Sequence, residues 1–325
     1  MIYNTSIREL KKFGMEVFFM LLKDVLKEFI FELEIKKFSP KTIKSYKNNN
    51  VLFFNYLVNE FSIIKLEELK GQHIKSYFQY LTKKGLKPTY INSILKNIRA
   101  FCIYCIDEEY LEKNPTEKVK WQREGKVLIN TFTSEEIINM LNAYKFTTYL
   151  ESRNKTIMSL LIDSGIRNSE LCSITNDDIK EKVILIHGKG SKQRQVSISP
   201  LLKKYMIRYE RIKKEYFKNY NLKNDNYFLS YRGEPLTIEA VERVVREAGK
   251  RANVRNEIRC SPHTIRHWYS QEQLRNGLDT YSLSRLLGHE NITITKRYLQ
   301  SIKDEDIVDL SVKTSPLMNL KGGRK

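Results

Sequence analysis

Long apolar runs are missing from this chain. A membrane helix needs about 18 or more consecutive apolar residues. The nearest approach, residues 15–35, is broken by Lys23, Asp24, Lys27, Glu28, Glu32 and Glu34. No transmembrane span is expected. The N-terminus also lacks the basic, apolar and small-residue order of a secretory signal, so the chain is expected in the cytoplasm. Cysteine is scarce, with 4 residues in 325. Cys102 and Cys105 form a C-x-x-C, but no second pair and no nearby histidine completes a zinc site. They fall in an apolar helical pattern with Ile98, Phe101 and Ile106, which reads as buried thiols on one helix face. Acids are in short supply, 38 against 57 Lys and Arg, a formal charge of +19. They are scattered, with no carboxylate cluster of the kind a metal-dependent nuclease or transposase needs. The excess of bases suits a polyanionic partner, most simply nucleic acid. Ribosomal, membrane-surface and DNA proteins share such a charge, so it narrows the class without giving the activity.

What is present is a globular composition, 41% hydrophobic and 29% charged, with room for two domains. Residues 15–36 read as an amphipathic helix. Ser39-Pro40, a cap followed by proline, opens a second helix that runs to about residue 60. A third is expected over 71–84, with Ile74, Tyr77, Phe78 and Leu81 at helical spacing. Gly85 and Pro88 mark a turn, and a last helix covers about 89–109. The first third is therefore a helical bundle. The following stretch is polar, contains Pro115 and Gly125, and shows no period, so it reads as a linker. The expected division is an N-terminal extension at 1–20, a helical domain at 21–112, a linker at 113–131, a second domain at 132–305 and a tail at 306–325.

Thr133-Ser134-Glu135-Glu136 opens the second domain as a capped helix. An apolar helix over 152–163 is closed by Asp163-Ser164-Gly165, and Arg167 begins the next. Residues 183–187, VILIH, read as a strand. GKGSKQR follows at 188–194 and QVSIS returns at 195–199, which makes a β-hairpin with a basic tip. The tip lacks the spacing of a phosphate-binding P-loop, and no helix follows it. Further helices are expected at 200–220 and 238–252. The fold class is mainly α, with a small β-hairpin in a mixed α/β second domain.

Residues 261–298 hold the densest chemistry. Ser261 is a good N-cap and Pro262 suits the first helical position, so His263, Arg266 and His267 share one face of a helix. A helix N-terminus that carries imidazole and guanidinium is a plausible phosphate site. A second helix is expected over Thr280–Leu287, with Gly288 as its C-terminal cap. His289 then falls on a loop, and Tyr298 nine residues later on a short helix. Any one of these residues alone would read as surface or core, and Tyr298 is one of 19 tyrosines. Their order and spacing carry the signal.

H-x-x-R-H, then L-G-H, then a tyrosine nine residues on, resembles the C-terminal signature of the tyrosine recombinases, the family of phage integrases, Xer recombinases and Cre. S-G-I-R-N-S-E-L at 164–171 resembles the family's first catalytic box, and S-P-K-T-I-K-S-Y at 39–46 the opening of its core-binding domain. The resemblance spans about residues 20–305 and suits the two-domain, Xer-like architecture without an arm-binding domain. It implies a helical domain and a catalytic domain that clamp double-stranded DNA. It further implies site-specific recombination through a 3′-phosphotyrosine and a Holliday junction, in integration or excision of a mobile element or in Xer-type resolution. By the same resemblance the catalytic set is Arg167, Lys189, His263, Arg266, His289 and Tyr298, with Glu170 and His267 supporting it from behind. Lys41, Thr42, Lys44 and Tyr46 as a group, together with Lys192 and Arg194, are expected to touch DNA. One departure concerns the residues after R-H, where the family has small or apolar side chains and this chain has Trp268, Tyr269 and Ser270.

Such a set suits phosphodiester transesterification. By the resemblance, Tyr298 is the expected nucleophile. Arg167 and Arg266 hold nonbridging oxygens through rigid forks. Lys189 is the candidate acid for the 5′-oxygen, His263 the acceptor of the tyrosine proton, and His289 a phosphate ligand. The resemblance implies no metal, no ATP and no other cofactor. It implies a homotetramer on two DNA sites whose C-terminal tail is exchanged between protomers, and it leaves open a second recombinase or accessory protein. A type IB topoisomerase would share the chemistry in one protomer, but the long segment after the tyrosine favours the recombinase. The complete catalytic set disfavours a non-catalytic DNA-binding relative.

Overall fold

The computed structural model describes residues 20–125, 130–188, 193–289 and 291–299, together with 308, 311 and 312. The chain forms two compact units, with the break between residues 126 and 127. Among the described residues no helix is long and apolar enough to cross a membrane.

The first unit contains helices α1 (Leu22–Ile35), α2 (Pro40–Phe61), α3 (Gly71–Lys83) and α4 (Pro88–Asp107), with a short 3₁₀ turn at Leu66–Glu68. Ser39 starts α2 as expected: its Oγ accepts from the Thr42 amide at 3.3 Å, and Pro40 holds the first turn. The unit closes over Phe53, Leu57, Ile74, Ile91, Leu95, Ile98 and Phe101, all fully buried. Cys102 and Cys105 lie in this core as free thiols. Burial raises both, Cys105 to about 12, so they pack as small apolar groups.

Residues 113–125 of the expected linker belong to this unit. Val119 is 2% exposed within its core. Asn92 of α4 donates to the Gln122 carbonyl at 3.0 Å and accepts from the Gln122 amide at 2.8 Å. Arg99 donates to the Val119 carbonyl and lies over the Trp121 ring at 4.5 Å. A polar, aperiodic stretch gave no sign of this, because its order comes from side chains of α4 bonded to its backbone.

The second unit contains α5 (Ser134–Asn142), α6 (Tyr149–Ser164), α7 (Asn168–Ser173), strands β1 (Val183–His187) and β2 (Gln193–Ser197), then α8 (Pro200–Tyr216), α9 (Ile238–Arg251), α10 (Pro262–Arg275), α11 (Thr280–Leu287) and α12 (Ile292–Leu299). Helix α6 is central, with α5, α8, α9 and α10 packed around it, which is why Ile157, Met158, Leu160 and Leu161 are all buried. β1 and β2 pair antiparallel, from Val183 opposite Ser197 to His187 opposite Gln193. β2 begins two residues earlier than the polar Gln193-Arg194 suggested. Arg194 and Val196 share one strand face, and an internal ion pair, described below, lets the arginine sit there.

Candidate active site

Three arginines converge on the end of one helix. The last carbonyls of a helix have no intrahelical donors, and the macrodipole places partial negative charge there. At the C-terminus of α11, the Leu286 carbonyl accepts from Arg194 Nε at 2.7 Å, that of Leu287 from Arg266 Nη2 at 2.7 Å, and that of Gly288 from Arg167 Nη2 at 3.1 Å. Gly288 ends the helix in the left-handed conformation, φ 63°. A Cβ there would lie 3.1 Å from the Arg194 side chain, so glycine both turns the chain and admits the guanidinium.

Each arginine has a second anchor. Arg266 is 4% exposed and donates through Nη1 to the Gly165 carbonyl at 2.7 Å. Gly165 caps α6 at φ 57°. Burial, then the nearby Arg167, lowers Arg266 to about 10, which still leaves it charged at neutral pH. Arg167 caps α7. Its backbone amide and Nη1 bond both carboxylate oxygens of Glu170, at 2.8 and 2.9 Å. Arg194 completes the group with a bidentate pair to the same carboxylate, 2.8 Å on each oxygen. Burial alone would raise Glu170. The bonds and charge of Arg194, with those of Arg167, outweigh it and hold the carboxyl at about 2.

Arg194 was expected as a DNA contact. The structure gives its guanidinium internal partners on all three nitrogens, and it ties the β-hairpin to α7 and to the turn before His289. Lys189 and Lys192, the other basic residues expected from this hairpin, lie outside the described residues.

The histidines and the tyrosine form a second group beside the arginines. Ser261 Oγ caps α10 through the Thr264 amide at 3.2 Å, with Pro262 in the first turn. His263 stands at the rim, and its ring packs edge-on against His267 with centroids 4.1 Å apart. His267 Nδ1 lies 3.2 Å from Tyr298 Oη. His289 Nε2 is 3.0 Å from Arg266 Nη2, and its Nδ1 is 2.8 Å from Thr295 Oγ1. Because a guanidinium only donates, His289 Nε2 accepts and Nδ1 carries the proton to Thr295. Burial, followed by Arg266 and then Arg167, brings His289 down to about 4. Burial, then His263 and Arg266, does the same to His267. Both rings are therefore neutral at pH 7.

Tyr298 is 3% exposed, in a small cluster with Tyr269, Leu274, Leu283 and Leu287. Trp268 packs against that cluster and the main core, so the unusual residues after R-H fill space. A cleft of about 1180 Å³ opens beside the arginines, lined among others by Arg167, Ser169, His187, Arg285 and His289.

Five expected site residues thus come together with both expected supports: Arg167, His263, Arg266, His289 and Tyr298, with Glu170 and His267. Three features were missed. Thr295, fully buried, orients His289; a lone threonine in ITITKRY carries no signal. The α11 carbonyls were hinted at only by the Gly288 cap. The imidazole within hydrogen-bond distance of the Tyr298 hydroxyl is that of His267, one helical turn beyond His263, a contact that spacing alone does not reveal. In the first unit, Lys41 and Lys44 are exposed at the start of α2 and Thr42 is half-buried. Tyr46 is partly structural, its ring edge-on to Phe29 at 5.7 Å.

Two descriptions of known families match the chain: the phage integrase SAM-like domain over residues 21–121 and the phage integrase family over residues 130–305. Tyrosine recombinase XerC of Bacillus pumilus (strain SAFR-032) is 31% identical over 282 residues, covering 85% of this chain and 91% of that protein. Among solved structures, XerH site-specific recombinase bound to palindromic difH substrate matches with a TM-score of 0.70 at 19% identity, covering 84% of this chain and 80% of that one. A lambda integrase tetramer bound to a Holliday junction matches with a TM-score of 0.68 at 16% identity, over 86% and 77%. At those identities the two structures speak for the fold. The chain belongs to the phage integrase family of tyrosine recombinases. It is a site-specific DNA recombinase with the two-domain, mainly helical architecture of that family.

Proposed function

We propose that this recombinase cuts and rejoins double-stranded DNA by direct transesterification at Tyr298. The Tyr298 oxygen attacks the scissile phosphorus, the bond from phosphorus to the 5′-oxygen breaks, and a 3′-phosphotyrosine remains beside a free 5′-hydroxyl. Arg167 and Arg266 hold the nonbridging oxygens as charge builds on them. Lys189 delivers the proton to the leaving 5′-oxygen, His263 takes up the proton that the Tyr298 hydroxyl loses, and His289 hydrogen-bonds a nonbridging phosphate oxygen. The covalent bond conserves the energy for religation, so the exchange runs without ATP. The observation that carries this reading is the convergence of Arg167, Arg266, His289 and Tyr298 from four separate stretches of chain, with Arg167 and His289 lining an open cleft and Arg266 and Tyr298 buried behind it.

Lys41, Thr42, Lys44 and Tyr46 would contribute DNA contacts from the first domain, and Lys192 from the hairpin. The solved lambda integrase tetramer on a Holliday junction supports an assembly of four protomers on two sites. In that assembly the tail at 306–325 would pass to a neighbouring protomer. Resolution in the manner of the Xer relatives fits best, and integration or excision of a mobile element uses the same strand transfers. A partner recombinase would be revealed if the chain alone cleaves but does not recombine. The cytoplasm is the compartment such a substrate implies.

The test uses duplexes from the flanks of its own gene, nicked near candidate sites so that the cleaved end diffuses away. A covalent adduct mapped to Tyr298 by mass spectrometry, lost in Tyr298→Phe with DNA affinity retained, is the expected result. An adduct on another residue refutes the assignment.

A further inference from the structure

His267 is the group whose ring nitrogen meets the Tyr298 hydroxyl, at 3.2 Å. Tyr298 is almost fully buried, and a buried phenol is held by protein hydrogen bonds. The carrier of His267 is well anchored. It follows Arg266 on α10, and Arg266 is tied to the Gly165 and Leu287 carbonyls. On its other side the His267 ring packs against His263 at 4.1 Å, which restricts its rotation. Tyr298 rides on α12, an eight-residue helix, 31 positions further along the chain. The contact therefore joins a firmly held imidazole to a short helix whose described buried residues are Thr295 and Tyr298.

We propose that His267 is a positioning residue for the nucleophile: its Nδ1 accepts the hydrogen bond of the Tyr298 hydroxyl and so sets the direction in which the phenol oxygen faces the phosphate. The inference rests on Tyr298 being the nucleophile. The state of the ring agrees with the role. Burial first, then His263 and Arg266, bring it down to about 4, so at neutral pH it is an acceptor and not a cation. A phenol ordinarily titrates near ~10. An imidazole held that low is a poor store for the phenol proton, which is why orientation, rather than proton transfer, is the role assigned.

The experiment is single-turnover cleavage of the nicked duplex that gives the adduct, by the full chain with three substitutions. His267→Leu fills the space without an acceptor. His267→Asn places its amide oxygen near the position of Nδ1, and His267→Gln reaches beyond it. Misplacing reacting groups slightly slows a step by roughly 10- to 100-fold, and that is the loss expected for His267→Leu, with DNA affinity unchanged. His267→Asn should recover most of the rate and His267→Gln much less. A merely space-filling role predicts the reverse order, with Leu fast and Asn slow. A Leu rate equal to or above that of the unaltered protein, or Asn no better than Leu, overturns the proposal. Should the Leu variant not fold by circular dichroism, the comparison of Asn with Gln decides, and Gln equal to Asn overturns it. Tyr298→Phe separates the two claims. An adduct that survives Tyr298→Phe sinks the nucleophile itself, whereas normal cleavage by the His267 variants alongside an inactive Tyr298→Phe sinks only this inference.

Discussion

Replacing Arg194 with methionine tests the buried network most directly. Arg194 makes three bonds inside the protein, two to Glu170 and one to the Leu286 carbonyl. The two charged side chains are 12% and 7% exposed. Removing one partner of a buried ion pair costs about 3–5 kcal/mol, because the remaining charge is left uncompensated. Glu170 keeps its bonds to the Arg167 amide and guanidinium, so the lower end, ~3 kcal/mol, is expected. For a unit of this size that corresponds to a fall of roughly 6–12 °C in thermal midpoint. Methionine is unbranched and fills the channel beside Gly288, so a cavity is a minor part of the change. The assay is thermal unfolding at pH 7 followed by circular dichroism, alongside DNA binding at several salt concentrations. If Arg194 instead met a DNA phosphate, the midpoint would stay put and the slope of log affinity against log salt would drop by about 1. A midpoint within about 2 °C of the unaltered protein, with a reduced salt slope, would refute the internal role.

Two further outcomes follow from the same geometry. His267 and His289 sit near 4 in the folded protein, whereas histidine in an unfolded chain titrates near ~6.5. The unfolded state therefore takes up protons first, and the stability these rings contribute above pH 6.5 should be lost progressively as pH falls to about 4; unfolding in urea at stepped pH should show this, and His289→Gln should flatten the dependence. Glu170, held at about 2, adds its own loss only at lower pH, below ~4.3. Gly165→Ala should destabilise by more than the ~1–2 kcal/mol of a left-handed residue with a side chain, because the new Cβ would sit 2.3 Å from the Tyr269 ring; an unchanged urea midpoint would show that the ring can move aside.

Much of the site was legible because it is written in local patterns. Ser39-Pro40 and Ser261-Pro262 announce helix starts by capping chemistry, and both do cap. Gly165 and Gly288 announce helix ends, and both take up the left-handed conformation. Such signals depend on neighbours within one helical turn, so order along the chain is enough to read them. The motif residues followed, since their spacing relative to those caps sets which ones share a face. The hairpin was also legible, but its register was not. Arg194 reads as a loop residue until Glu170, 24 positions away, is known to lie beside it.

The sequence by itself determined the helical bundle, the hairpin and the helix that carries His263, Arg266 and His267, and its family spacing marked the candidate site residues. Tertiary structure alone decided the pairings. It placed three guanidinium groups on the carbonyls of one helix end, gave Glu170 its second arginine partner, Arg194, set His289 beside Arg266, and put His267 against the Tyr298 hydroxyl. It also tied residues 119–124 to the first unit through Asn92 and Arg99. The physical reason is common to all of these. A helix period states which side chains share a face, but a hydrogen bond is made only within about 3 Å and at a favourable angle. Partners as distant in the chain as Glu170 and Arg194, 24 residues apart, or Arg167 and Gly288, 121 apart, meet those limits only once the core has packed and brought their backbones together.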